Sequence, residues 1–390
     1  MVIDTPRIRG SICLNTHPAG CAAEVDRQIE YVRSRGAVDG PKGVLVVGAS
    51  TGYGLAARIA AAFGSSAATV GVAFEKPGTE TRPGTPGWYN VRAFEARARE
   101  TGLFAETIFG DAFSDEIKSE TIEAAKRSGV KIDLVVYSLA SGVRTDPADG
   151  VTYRSVLKPL GGDYSAKSID FMKGTLTDFS VGPATEEETA NTVKVMGGED
   201  WTLWIDALME AGVLADGCKT VAFSYIGPEI TFPVYREGTI GKAKEHLEDS
   251  ASSLTERLTP LKGEAFVSVN KAVVTRASAV IPVVPLYISI LFKIMKQEGT
   301  HEGCIEQMYR LFKQKMYGAG ETPVDEEGRI RLDDLEMRDE IQRKVMEAWD
   351  AIDEDSLDTY ADVEGYRQEF LAIHGFDIDG VDYSADVATD

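Results

Sequence analysis

Tyr225, Tyr235 and Lys244 lie in one stretch, "SYIGPEITFPVYREGTIGKAKEHL", from Ser224 to Leu247. A phenol with an ordinary pKa of about 10 is a poor acid at neutral pH unless a nearby cation lowers it. A lysine supplies that cation, and its ammonium can also hold the hydroxyls of a sugar. Lys244 follows Tyr235 by nine positions, which at about 100° per residue sets the two on opposite faces of any single helix. Gly238 and Gly241 weaken such a helix, and Thr239 can cap one. The spacing therefore predicts a loop for Tyr235 and the first turns of a helix starting near Thr239 for Lys244. A loop phenol can stand farther out, over the carbonyl of a conjugated substrate. Taken alone, Tyr225 could equally close a strand, Tyr235 pack a loop, and Lys244 belong to the solvated face of "KAKEHLE".

A second group of residues points to a dinucleotide. "GASTGYG" places Gly48, Gly52 and Gly54 between the apolar run "GVLVV" and a helical pattern. Glycines allow a tight turn and close approach of a pyrophosphate, and the helix N-terminus offers N–H groups and positive potential. The spacing G-x-x-x-G-x-G differs from the commoner fingerprint. Glu75 closes the next strand, 21 positions past Gly54, where a carboxylate can accept from the adenosine ribose. It repels a 2′-phosphate, which favours NADH over NADPH. "GDAF" puts Asp111 where it could meet the adenine amino group. "YSLAS" puts Leu139 and Ala140 beside the ring or ribose.

These residues need a frame. Short apolar runs at 43–50, 67–75, 104–113, 131–141, 219–227 and 264–270 alternate with amphipathic helical patterns, which predicts a doubly wound parallel sheet of the Rossmann type. One domain over 1–390 is expected, with an insertion of small hairpins at 143–186 and a mostly helical region at 276–390. "VIPVVPLYISILF", interrupted by Pro282 and Pro285, is too short for a membrane span. It reads as a helix behind a bend that either lines an apolar pocket or fills the core.

Composition narrows the classes. With 43% hydrophobic and 26% charged residues the chain can bury a large core, and its formal charge of −21 excludes nucleic-acid binding by charge. Four scattered cysteines form no disulfide framework, and no secretory leader pattern is visible, so a cytoplasmic protein is expected. Cys13, His17 and Cys21 lack a fourth ligand nearby, and no metal is expected.

"GASTGYGLAARIAAAFG", "GWYNVRAFE", "DLVVYSLASGVRTDP", "VKVMGGEDW", "SYIGPE", "GTIGKAKEHLE", "IPVVPLYI" and "THEGCIEQM" together resemble the trans-2-enoyl-CoA reductases and FabV-type enoyl-[acyl-carrier-protein] reductases. The resemblance spans nearly the whole chain. It implies a short-chain-dehydrogenase-like fold and a Tyr-x8-Lys pair met by Tyr235 and Lys244. Tyr235 would then be proton donor or enolate stabiliser, Lys244 a nucleotide contact, and Tyr225 a substrate contact. It further implies NADH contacts at Gly48, Ala49, Ser50, Thr51, Gly52, Tyr53, Phe74, Glu75, Asp111, Ala112, Leu139, Ala140, Val273, Val274 and Thr275. The implied partner is an acyl-CoA or acyl-carrier-protein thioester, with no membrane partner and a monomeric enzyme. "TFPVY" is a stretch that differs among members of that family, which leaves substrate preference near Tyr235 open. A carbonyl reductase would instead set its tyrosine and lysine one helical turn apart, and an NADH sensor would need no such pair.

Overall fold

Residues 1–389 are described by a computed structural model of the chain. Each expected strand is present: β1 (Gly43–Val47), β2 (Ala68–Ala73), β3 (Ala105–Phe109), β4 (Ile132–Tyr137), β5 (Leu214–Ser224) and β6 (Glu264–Val269). A seventh, β7 (Arg329–Arg331), extends the sheet beyond them. The order is β7-β6-β5-β4-β1-β2-β3, with every neighbouring pair parallel. The reversal of strand order at β1 and β4 is the switch point at which such sheets take ligands.

Burial on both faces explains why β1 is a continuous apolar run. Val44 and Val46 face one core with helices α1 (Pro18–Arg35), α2 (Gly52–Ile59) and, farther along the chain, α9 (Cys304–Arg310). Leu45 and Val47 face the other, with Trp201 and Trp204 of α6 (Glu199–Glu210) and Leu247 and Leu254 of α7 (Thr239–Leu258). Between α2 and α9 in the chain, the remaining helices are α3 (Pro86–Glu100), α4 (Asp115–Arg127), α5 (Glu186–Met196) and α8 (Val284–Gln297). After β7 come α10 (Asp339–Ala351), α11 (Leu357–Tyr360) and α12 (Val363–Ala372).

Between β4 and α5 the chain makes two antiparallel hairpins, Val143–Thr145 with Thr152–Arg154 and Tyr164–Asp170 with Thr175–Val181. The second packs Ile169 and Phe171 into a third core built by α8, α10 and α12. In α8, Leu286, Tyr287, Ile288, Ile290, Leu291 and Phe292 have no exposed surface. Of its two readings, pocket wall or core, the structure shows core. Val283, one residue before the helix, has φ +73, a costly conformation for a β-branched residue that marks a strained joint between the preceding loop and α8.

Candidate active site

The glycines at the end of β1 each answer a geometric demand. Gly48 has φ +87, and a Cβ on it would sit 2.2 Å from the Ser138 carbonyl oxygen. A Cβ on Gly54 would sit 1.9 Å from the Gly48 oxygen, so helix and strand close together only without side chains there. Thr51 caps α2 without a side-chain hydrogen bond, and no acid stands in the first turn, which leaves those N–H groups suited to a pyrophosphate. Ala49 and Ser50 are buried within the turn.

Glu75 Oε1 accepts from Ser50 Oγ at 2.8 Å and from Arg276 Nη1 at 3.2 Å. Its Oε2 is buried and has no hydrogen-bond partner in the protein. Phe74 beside it is 78% exposed, an apolar surface standing open at the strand end. Asp111 is exposed and its Oδ1 accepts from Phe113 N, while Ala112 is buried with its carbonyl engaged by Lys118 and Trp204. Leu139 is half-buried and Ala140 exposed at the end of β4. Val273 and Val274 are buried after β6, and Thr275 comes within 3.5 Å of the position a Gly52 Cβ would take. These residues converge at the carboxyl ends of the strands and fit an adenine dinucleotide. Tyr53 differs: its hydroxyl donates to the Lys271 carbonyl and lies 3.0 Å from Gln307 Oε1, so only its backbone and ring edge are left for a nucleotide.

The tyrosines meet at the end of β5. Tyr225 follows Ser224 directly, and its ring stands edge-on to that of Tyr235, with centroids 5.1 Å apart and planes at 80°. Tyr235 sits in a turn whose N–H bonds to the Thr231 and Phe232 carbonyls, and α7 begins at Thr239 as the spacing predicts. The cap itself is Gly238; Thr239 instead donates its hydroxyl to the Val156 carbonyl. Gly241 is required here, since a Cβ would lie 1.9 Å from the Arg236 oxygen.

Tyr235 is 9% exposed, and among the described residues its hydroxyl makes no hydrogen bond. Burial pushes its phenol up, and no charge offsets the shift. The lowering by a cation that the sequence suggests is not found at this phenol. Lys244 Nζ donates to the Phe223 carbonyl at 3.3 Å, and burial lowers its ammonium to about 8 against a smaller upward pull from Glu248.

Three residues missed in the sequence complete the arrangement. Arg276 reaches Glu75 from the segment after Thr275. Lys271 is 1% exposed, donates to the Ala272 carbonyl, and sits over the Phe292 ring. Glu336 has no exposed surface and accepts from Tyr225 (3.2 Å), Tyr287 (2.6 Å) and the Ala272 N–H (2.7 Å). Only Arg276 carried a sequence cue, its adjacency to Val273–Thr275.

A cleft of about 720 Å³ touches the site through Thr51, Gly52 and Val274 but extends away from Tyr235, between α1, α9 and α12. The tyrosines at the strand ends do not line this cleft, whose other walls mix Glu24, Glu306, Glu369, Asp377 and Asp379 with Arg27, Lys296 and His301. Among the described residues no cluster suits a metal, and no helix is long and apolar enough to cross a membrane.

Comparison with known proteins follows the same geography. Residues 82–317 match the profile of the trans-2-enoyl-CoA reductase catalytic region, and residues 3–80 that of the NAD(P)H binding domain of trans-2-enoyl-CoA reductase. Residues 324–387 match a profile described as an enoyl reductase FAD binding domain. The enoyl-[acyl-carrier-protein] reductase [NADH] of Cytophaga hutchinsonii is 55% identical over 99% of this chain and 98% of its own length. The crystal structure of Treponema denticola trans-2-enoyl-CoA reductase in complex with NAD superposes with a TM-score of 0.96 at 53% identity, covering 99% of this chain and 98% of that one. That of the Clostridium acetobutulicum enzyme in complex with NADH gives 0.97 at 44%, covering 100% and 98%.

The segment 324–387 does not fit a flavin dinucleotide. Its strand β7 is followed by turns, not a glycine-bearing entry into a helix, and α10 and α12 begin with Asp339, Glu340 and Glu364, which oppose a pyrophosphate. The apolar faces of these helices are spent on the third core.

Proposed function

The chain belongs to the trans-2-enoyl-CoA reductase family, and from that premise we propose how its side chains divide the work of reducing an enoyl thioester. The protein is an NADH-dependent oxidoreductase acting on the 2,3 double bond of a trans-2-enoyl thioester. Bound NADH supplies the hydride that reaches the β-carbon. As charge gathers on the thioester oxygen, the Tyr235 hydroxyl donates to it, first as a hydrogen bond and then as a proton; the enol so formed tautomerises, the α-carbon taking a proton from water and the enol proton returning to the Tyr235 phenolate. The observation that carries this role is a buried phenol with no partner in the protein, edge-on to Tyr225 at the sheet's ligand end. Burial raises its pKa, so the phenol is neutral and able to donate at neutral pH.

Lys244 holds the nicotinamide ribose, Glu75 the adenosine ribose, and the turn Gly48–Tyr53 the pyrophosphate. Phe74, Asp111, Ala112, Leu139 and Ala140 border the adenosine half; Val273–Thr275 border the nicotinamide half. Tyr225 walls the acyl thioester. The carrier is coenzyme A or acyl carrier protein, and the enzyme works as a cytoplasmic monomer.

NADH oxidation followed with crotonyl-CoA and with acetoacetyl-CoA tests the reaction: turnover of the enoyl thioester alone is expected, and turnover of the ketone alone rejects it. Rates on matched CoA and carrier-protein thioesters decide the carrier, and light scattering after size exclusion decides the monomer.

A further inference from the structure

Glu336 lies between β7 and α10, in the segment that matches the flavin-domain profile yet holds no flavin site. Its carboxylate is fully buried and serves three donors from three parts of the chain. Oε1 takes the hydroxyls of Tyr225, at the end of β5, and Tyr287, in α8. Oε2 takes the N–H of Ala272, which leads into Val273–Thr275. Gln342 Nε2 braces the group by donating to the Glu336 carbonyl (2.8 Å) and to Tyr287 Oη (3.2 Å). Lys271 is the buried cation beside it.

A hydroxyl has one proton and can point it one way. We propose that Glu336 is a positioning residue that draws the Tyr225 proton toward its own carboxylate, leaving Tyr235 as the one phenol that donates to the thioester oxygen. The inference rests on the roles proposed above for Tyr225 and Tyr235. It gives the C-terminal segment a task in the reduction that needs no cofactor of its own.

The substitution Glu336→Gln separates this role from general support. An amide has one acceptor oxygen where the carboxylate has two. Turned toward Ala272, that oxygen keeps the backbone bond, while the NH2 meets two hydroxyls that can rotate to accept. The Tyr287 proton loses its carboxylate acceptor, a cost that the Tyr225→Phe background shares, and the Tyr225 proton is released to compete for the thioester oxygen.

The expected result is a kcat with crotonyl-CoA lower by about ten-fold, with the NADH dissociation constant held within about two-fold. In a Tyr225→Phe background the same change should cost less than about two-fold, because the group it acts through is gone. Should Glu336→Gln fail to fold, Glu336→Asp keeps the charge and withdraws from the 3.2 Å Tyr225 contact, and the same cycle is run with it. A kcat loss that persists undiminished in Tyr225→Phe, an unchanged kcat, or a loss confined to NADH affinity overturns the positioning role. Full turnover in Tyr235→Phe overturns the reading beneath it, whatever Glu336 does.

Discussion

The nucleotide half of the site and the tyrosine half are built in opposite ways. Around Gly48–Tyr53 one strand, one turn and one helix supply most of what a pyrophosphate needs within a few residues, and Glu75 joins from the next strand. Around Tyr225, by contrast, the partner is Glu336, 111 positions on in the segment before α10, and that carboxylate also ties in α8 and the loop after β6. Pyrophosphate binding needs backbone donors, which a local turn provides. Holding a neutral phenol at a reacting oxygen needs a dry, shaped wall, which only distant segments can close.

The sharpest way to break this contrast is at Tyr235. Tyr235→Phe is expected to lower kcat by about 10²-fold or more, as removal of a general acid does, with NADH affinity retained in a fluorescence titration. Equal loss of affinity would mean that the halves are not separable.

A smaller effect is expected in the nucleotide half. Glu75→Ala should improve kcat/KM for NADPH relative to NADH by about ten-fold, because it removes a repelling carboxylate and frees Arg276, 3.2 Å away, for a 2′-phosphate. Glu75→Ala with Arg276→Ala should lose most of that gain. If the gain is the same with and without Arg276, the guanidinium plays no part.

Lys244 stands where the halves meet, and pH reads it. With its ammonium at about 8 in the free protein, kcat/KM for NADH should fall as pH rises through that value, and Lys244→Met should abolish the limb. For stability the sign is reversed. A lysine lowered from its ordinary 10.5 penalises the folded state while charged, fully below about 8, and the penalty lifts as pH rises toward 10.5. Lys244→Met should therefore stabilise the protein most below that window, as urea midpoints at several pH values would show.

The smallest effect measures the tie itself. Tyr53→Phe cuts the hydroxyl that binds α2 to the Lys271 carbonyl and Gln307, at a cost of about 1 kcal/mol in urea unfolding. No measurable change would mean that the two halves are held together by packing alone.

The parallel sheet, six of its strands, the glycine turn, Glu75, the loop position of Tyr235 and the start of α7 were all legible in the sequence. Each is set by local rules: buried strands read as apolar runs, turns need glycine, and glycines interrupt helices. β7 was not legible, because a three-residue strand with two arginines in "RIR" has no apolar run and is defined only by pairing with β6. Nor was the packing of α8, since an apolar helix has the same pattern whether it lines a pocket or fills a core. The Glu336 hub, the Arg276–Glu75 pair and the raised Tyr235 phenol were decided by tertiary structure alone. Hydrogen bonds between segments far apart in the chain, and the removal of water around a group, leave no periodicity to read. They exist only once the chain has closed on itself.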